Sequence, residues 1–77
     1  MMKFKVGKYY IGIAKKYVLI LKCTYITTYD VYFDIIKDTD TDKSDNMTGE
    51  KVSLHTLNLL VDDIKVASKE EIILELI

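Results

Sequence analysis

Tyr17-Val18-Leu19-Ile20-Leu21-Lys22-Cys23-Thr24-Tyr25-Ile26-Thr27 is the stretch on which the fold turns. β-branched and aromatic residues dominate it, with neither Gly nor Pro, a composition suited to a pleated surface. Alternation sets Tyr17, Leu19, Leu21, Cys23 and Tyr25 on one side. The other side runs Val18, Ile20, Lys22, Thr24 and Ile26, apolar at first and more polar later. The spacing predicts a strand buried on both faces where it starts and on one where it ends.

Outward from this stretch the pattern stays strand-like. On the N-terminal side, Tyr9, Ile11 and Ile13 alternate with Lys8, Tyr10, Gly12 and Ala14, and Lys15-Lys16 supplies a turn. On the C-terminal side, Thr27-Thr28-Tyr29-Asp30 reads as a turn without the Gly of a strong hairpin signal. Val31, Phe33 and Ile35 then alternate with Tyr32, Asp34 and Ile36. Three antiparallel strands are expected. If Tyr9, Ile11, Ile13, Leu19, Leu21 and Phe33 point inward, Tyr10, Lys22, Thr24, Tyr32 and Asp34 point outward.

Residues 38–50 are polar throughout and are expected to form a solvated acidic loop. After Gly49, Val52 and Leu54 fit a short fourth strand. Two patterns compete over 55–67. Leu57, Leu60, Val61 and Ile64 have helical spacing, whereas Ile64-Lys65-Val66 alternates as a final strand after a single helical turn. Beyond them, Ser68 with Glu71 forms a capping box. Ile72, Ile73, Leu76 and Ile77 would line one face of a short C-terminal helix.

The expected fold class is mainly β. It is a small antiparallel meander or SH3-like barrel of about five strands with a short C-terminal helix, as one domain over 1–77. The alternative is an α+β sandwich with two helices on a three-stranded sheet. Phe4-Lys5-Val6-Gly7-Lys8, two long strands, a polar loop and a one-turn element before Ile64-Lys65-Val66 resemble the layout of a small SH3-like barrel. A shared layout does not decide function.

Composition narrows the classes. A chain of 77 residues buries roughly 60% of its unfolded surface as one domain. No apolar run approaches the ~18 residues of a membrane span, since Lys22 interrupts the best candidate, and no membrane partner is expected. The single cysteine excludes an internal disulfide and a zinc site built on cysteines of one chain. Arg, Pro, Gln and Trp are absent while Ile, Lys, Asp and Tyr abound. That bias follows AT-rich codons and points to a low-GC bacterium, its phages or its plasmids. Met1 to Lys8 is charged with no apolar segment following, so a cytoplasmic location is expected.

Charge is uneven. Residues 1–29 hold six lysines and no acid, and residues 30–77 hold five lysines against twelve acids. Such asymmetry suggests a charged binding surface, unless the halves interleave in the fold.

Few residues suggest chemistry. Asp38-Thr39-Asp40-Thr41-Asp42 resembles the start of a calcium loop, but Lys43 and Gly49 occupy the positions where an EF-hand needs Gly and Glu. His55 is the only histidine, and Cys23 falls on an apolar strand face where a thiol behaves as a small hydrophobe. The three glycines make no phosphate loop. Neither an enzyme nor a bound metal or cofactor is expected.

The functional expectation is therefore a non-enzymatic protein-binding module. Its most concrete form is a small phage or mobile-element accessory or inhibitor protein that occludes a host protein. Tyr10, Lys22, Thr24, Tyr32 and Asp34 are its interface candidates, because Tyr brings large contact area at little entropic cost. Asp38, Asp40, Asp42, Asp45 and Glu50, with Asp62 and Asp63, are candidates for an acidic surface that mimics nucleic-acid phosphates. A second class is nucleic-acid binding through Lys5, Lys8, Lys15, Lys16 and Lys22, with Tyr10 and Tyr32 stacking on bases. A third is a structural homo-oligomer. Val18, Ile20, Ile26, Ile36, Leu59, Leu74 and Ile77 exceed what so small a core holds, and a homodimer would cover them.

Overall fold

In the computed structural model, residues 3–70 and Ile72 are described. Five strands, β1 (Tyr9–Ile13), β2 (Val18–Ile26), β3 (Val31–Asp38), β4 (Lys51–Ser53) and β5 (Asp63–Val66), form one antiparallel sheet. One short helix, α1 (Leu54–Leu60), lies between the last two among the described residues. The sheet is open, in the order β4-β3-β2-β1-β5. The mainly β fold is therefore as expected, and over 55–67 the second of the competing patterns is realised, a short helix followed by a strand that takes Ile64.

Short turns produce the meander. At Lys15-Lys16 the Ala14 amide donates to the Tyr17 carbonyl at 3.0 Å. At the β2–β3 turn the Thr27 amide donates to the Asp30 carbonyl at 2.8 Å. Here the Thr27 hydroxyl does the work of the missing glycine, accepting the amides of Tyr29 and Asp30 at 3.2 and 2.9 Å. The expected fourth strand stops one residue early. Ser53 caps α1 by accepting the Thr56 amide at 3.2 Å, so Leu54 begins the helix instead of ending the strand.

The core occupies one side of the sheet. Leu19, Leu21, Cys23, Phe33 and Ile35 from β2 and β3 are closed over by Leu57 and Val61. Tyr10 belongs with them, which corrects its expected outward position. It stands directly opposite Leu21 and so shares that face. The ring is fully buried, edge-on to Phe4 at 5.0 Å and to Phe33 at 6.0 Å, and its hydroxyl accepts the Lys5 amide at 2.9 Å. Ile11, expected inward with the main core, turns to the opposite face. There it pairs with Ile20, and both are buried apart from the main cluster.

Two register shifts interrupt the β2–β3 ladder, at Ile20/Leu21 and Cys23/Tyr25. The second leaves Thr24 as an extra residue between the Cys23–Phe33 and Tyr25–Tyr32 pairs. A bulge of one residue exchanges the two faces beyond it. Tyr25, expected beside Cys23, consequently turns outward, and Ile26 turns to the core side.

Within the acidic loop, side chains hold the backbone. Asp38 ends β3 and is buried, a correction to its expected surface position. Its Oδ1 accepts the Asp40 amide at 2.9 Å and its Oδ2 the Met47 amide at 2.9 Å. Asn46 closes the loop by donating to the Asp38 and Asp40 carbonyls at 3.0 and 2.8 Å. Residues 41–45 and 48–50 remain exposed. Near the C-terminus, the Ile72 amide donates to the Ser68 carbonyl at 3.1 Å, one helical turn. The remainder of the expected helix, with Glu71, Ile73, Leu74, Leu76 and Ile77, lies outside the described residues.

Candidate functional site

The sheet face away from α1 carries the exposed aromatic residues. Three cross-strand rows build it, because residues opposite one another in register share a face. In the first row, Tyr9 faces Lys22, Lys22 faces Asp34 and Asp34 faces Lys51. The Lys22 ammonium lies 5.9 Å from the Tyr9 ring centre, within cation–π reach. Lys51 Nζ reaches Asp34 Oδ1 at 2.9 Å. Both side chains of that pair are open to solvent, so it holds geometry more than it adds stability.

The second row is Tyr25, Tyr32 and Ser53. The two tyrosine rings lie 6.0 Å apart at 37°, and they are 61% and 39% exposed. Thr24, the bulge residue, donates its hydroxyl to the Tyr32 carbonyl at 3.4 Å, which ties the bulge to the pair. At the hairpin tip Tyr29 is 95% exposed. The third row is Lys65, Ile11, Ile20 and Lys37.

Four of the five interface candidates, Lys22, Thr24, Tyr32 and Asp34, thus come together here, and Tyr10 does not. Tyr25, Tyr29 and Tyr9 are the contributors that sequence reasoning missed. Tyr29 carries a readable signal, an aromatic residue inside a polar turn. Tyr25 carries none, because a bulge leaves no mark on composition.

The acidic candidates divide. Asp40 Oδ1 accepts the Asp42 amide at 3.0 Å, and Asp42 Oδ1 accepts the Ser44 amide at 3.0 Å and hydroxyl at 2.7 Å. With Asp38, this makes a staircase of Asx turns in which each carboxylate supports the backbone two residues on. The Ser44 hydrogen bonds hold the Asp42 carboxyl below the usual carboxylate range. Asp45 and Glu50 are exposed in the same loop. Asp62 and Asp63 sit across the sheet beside β1, where the Asp62 amide donates to the Ile13 carbonyl at 2.8 Å. Tyr17 joins the two groups. Its hydroxyl donates to the Leu60 carbonyl at 2.9 Å, and its pKa is raised by burial first and then by Asp38, Asp40 and Asp62.

The N-terminal lysines lie at both ends of β1, with Lys22 opposite Tyr9 at the end nearer Lys8. Lys5 and Lys8 flank the turn before β1, where the Lys8 amide donates to the Lys5 carbonyl at 3.1 Å. Lys15 and Lys16 lie in the turn beyond its other end, on the order of 20 Å away at the rise of an extended strand. Cys23 is buried opposite Phe33, and burial raises its thiol pKa against the lowering effect of a Tyr25 backbone hydrogen bond. His55 is exposed on α1. Among the described residues, no three His, Cys, Asp or Glu side chains converge as a metal site would require, and no helix is long and apolar enough to cross a membrane.

No protein-family model, curated protein or solved structure matches this chain.

Proposed function

We propose that this chain is a non-enzymatic protein-binding module whose contact surface is the outer face of the β2–β3 hairpin. The exposed Tyr25–Tyr32 pair, with Tyr29 beyond it at the tip, carries the reading. Aromatic residues held on a rigid strand offer large contact area with little ordering cost, and Tyr is enriched among the residues that dominate binding energy. The row of Lys22, Asp34 and Lys51 supplies a polar rim of alternating charge, the usual border of such a patch. Tyr10 is buried and so unavailable for stacking on a base, and Lys15 and Lys16 lie at the far end of β1 from Lys5 and Lys8, which favours a protein partner over nucleic acid.

The strand order, with a helix between the fourth and fifth strands, supports the SH3-like layout. In its concrete form the module is a small phage or mobile-element inhibitor that acts in the cytoplasm by occluding a host protein. Asp40, Asp42, Asp45, Glu50, Asp62 and Asp63 are the carboxylates left for mimicry of nucleic-acid phosphates. An Asp→Asn change at 40, 42 and 45 keeps an oxygen for each Asx turn and removes the charge. Binding that ignores both this change and added salt would exclude mimicry.

The test is affinity capture from a low-GC bacterial lysate, with and without nuclease, using the natural chain and Tyr25→Ser/Tyr32→Ser. The expected result is one stoichiometric, nuclease-resistant protein, recovered at least tenfold less with the double variant. Equal recovery by both baits would overturn the reading. Recovery of nucleic acid alone, or of proteins lost on nuclease treatment, would move the function to the lysines.

A further inference from the structure

The bulge at Thr24 has a second effect, on the core side of the sheet. It turns Ile26 there, opposite Val31, and the two form one wall of a groove of about 580 Å³. Phe4, Leu54 and Ile64 supply the remaining apolar lining around Val61. The volume falls within the roughly 300–1,000 Å³ of ordinary ligand pockets. Ile26 is still 41% exposed, so the hairpin end is apolar on this side as well as aromatic on the other.

The polar lining is one-sided. Among the described residues it consists of Asn58 and the consecutive carboxylates Asp62 and Asp63, with no lysine. Both aspartates are exposed. A low-dielectric wall beside charges of one sign concentrates their field. We infer that the groove receives a segment of a protein partner in which a large apolar side chain stands next to lysine or arginine. An anionic lipid or phosphate would meet like charge at this lip. The chain's own apolar end, Ile72-Ile73-Leu74-Glu75-Leu76-Ile77, contains an acid and no base, so it is the wrong match in charge. This assignment rests on the protein-binding reading and extends it to the other side of the same hairpin.

The experiment is an NMR titration of the ¹⁵N-labelled full chain with three short blocked peptides, KLFKL, ELFEL and KSSKS. Saturable shifts at the amides of Val31, Asn58, Val61 and Ile64 are expected with KLFKL, and at least tenfold weaker binding with each of the other two. Asp62→Asn/Asp63→Asn should weaken KLFKL about tenfold; the asparagine oxygen can still accept the Ile64 amide that Asp63 holds at 2.9 Å. Asn58→Trp, a change at an exposed helix position that fills the groove, should abolish the shifts even if the double variant folds poorly. Equal binding of KLFKL and ELFEL, or of KLFKL and KSSKS, would overturn the inference. So would shifts at these amides that depend on protein concentration alone, which would mean a second copy occupies the groove. Failure here with intact hairpin-dependent capture would remove the groove and leave the binding module. Loss of hairpin-dependent capture would remove the module itself.

Discussion

Tyr10 and Asp38 both look like surface residues in the sequence, and both are buried. In each case a specific partner overrides the local pattern. Tyr10 finds the Lys5 amide for its hydroxyl and two aromatic edges for its ring, so its polar atom is satisfied inside the core. Asp38 receives backbone donors on both oxygens, and charge-assisted bonds of this kind offset the cost of burying a carboxylate. Tyr10→Phe should therefore cost about 1 kcal/mol, for one hydrogen bond. Tyr10→Ala should cost roughly 3–5 kcal/mol, as for other buried aromatic truncations. Tyr25→Ser, on the exposed face, should stay within about 0.5 kcal/mol. Urea denaturation of the three variants checks this ordering, and equal losses at Tyr10 and Tyr25 would contradict it. Asp42 adds a pH prediction. Its folded pKa is depressed, so its stabilising effect is present above the unfolded value and is lost as pH falls through the folded one. The Ser44 amide resonance should accordingly titrate with a midpoint below the usual aspartate range, and Ser44→Ala should move that midpoint upward.

At the level of elements, β2 and β3 were legible because their alternation is long and their flanking turns are polar. What stayed hidden is how the faces of paired strands combine. β1 has apolar residues on both sides, with Tyr9, Ile11 and Ile13 alternating against Tyr10, so periodicity alone leaves its orientation open. Pairing with β2 decides it, by setting Tyr10 against Leu21 and Ile11 against Ile20. The bulge at Thr24 was hidden for another reason, since one extra residue changes register without changing composition. Of the candidate site, Lys22, Thr24, Tyr32 and Asp34 were legible; Tyr25 was not, because its outward position depends on that bulge. Gly12 tests the docking of α1 on the sheet. A Cβ placed there would lie 3.2 Å from Val61 Cγ1 and 3.5 Å from Leu21 Cδ1, so the glycine is what lets the end of α1 approach β1. Gly12→Val should cost roughly 1–3 kcal/mol by overpacking. It should also raise hydrogen exchange across 54–61 more than across the β2–β3 hairpin. Exchange raised equally in both segments would mean that Gly12 does not control this contact.

Across the whole molecule, the charge asymmetry of the sequence is partly neutralised by folding. Lys22 and Lys51 bracket Asp34 on the outer face, so one side alternates in sign. Tyr17 feels Asp38, Asp40 and Asp62, while Lys15 and Lys16 stand exposed in the turn before it, so that end carries both signs. The tip end of the β2–β3 hairpin, beyond the Lys22–Asp34 pair, is exposed on both sides, with tyrosines outward and Ile26 and Val31 over the groove. The central claim is that this hairpin makes the contact with a protein partner. Hydrogen-exchange mass spectrometry of the full chain, alone and with the captured partner, tests it most directly. Protection concentrated in residues 22–34 is the predicted result. Protection confined to residues 3–16, or none at all over 22–34, would contradict it.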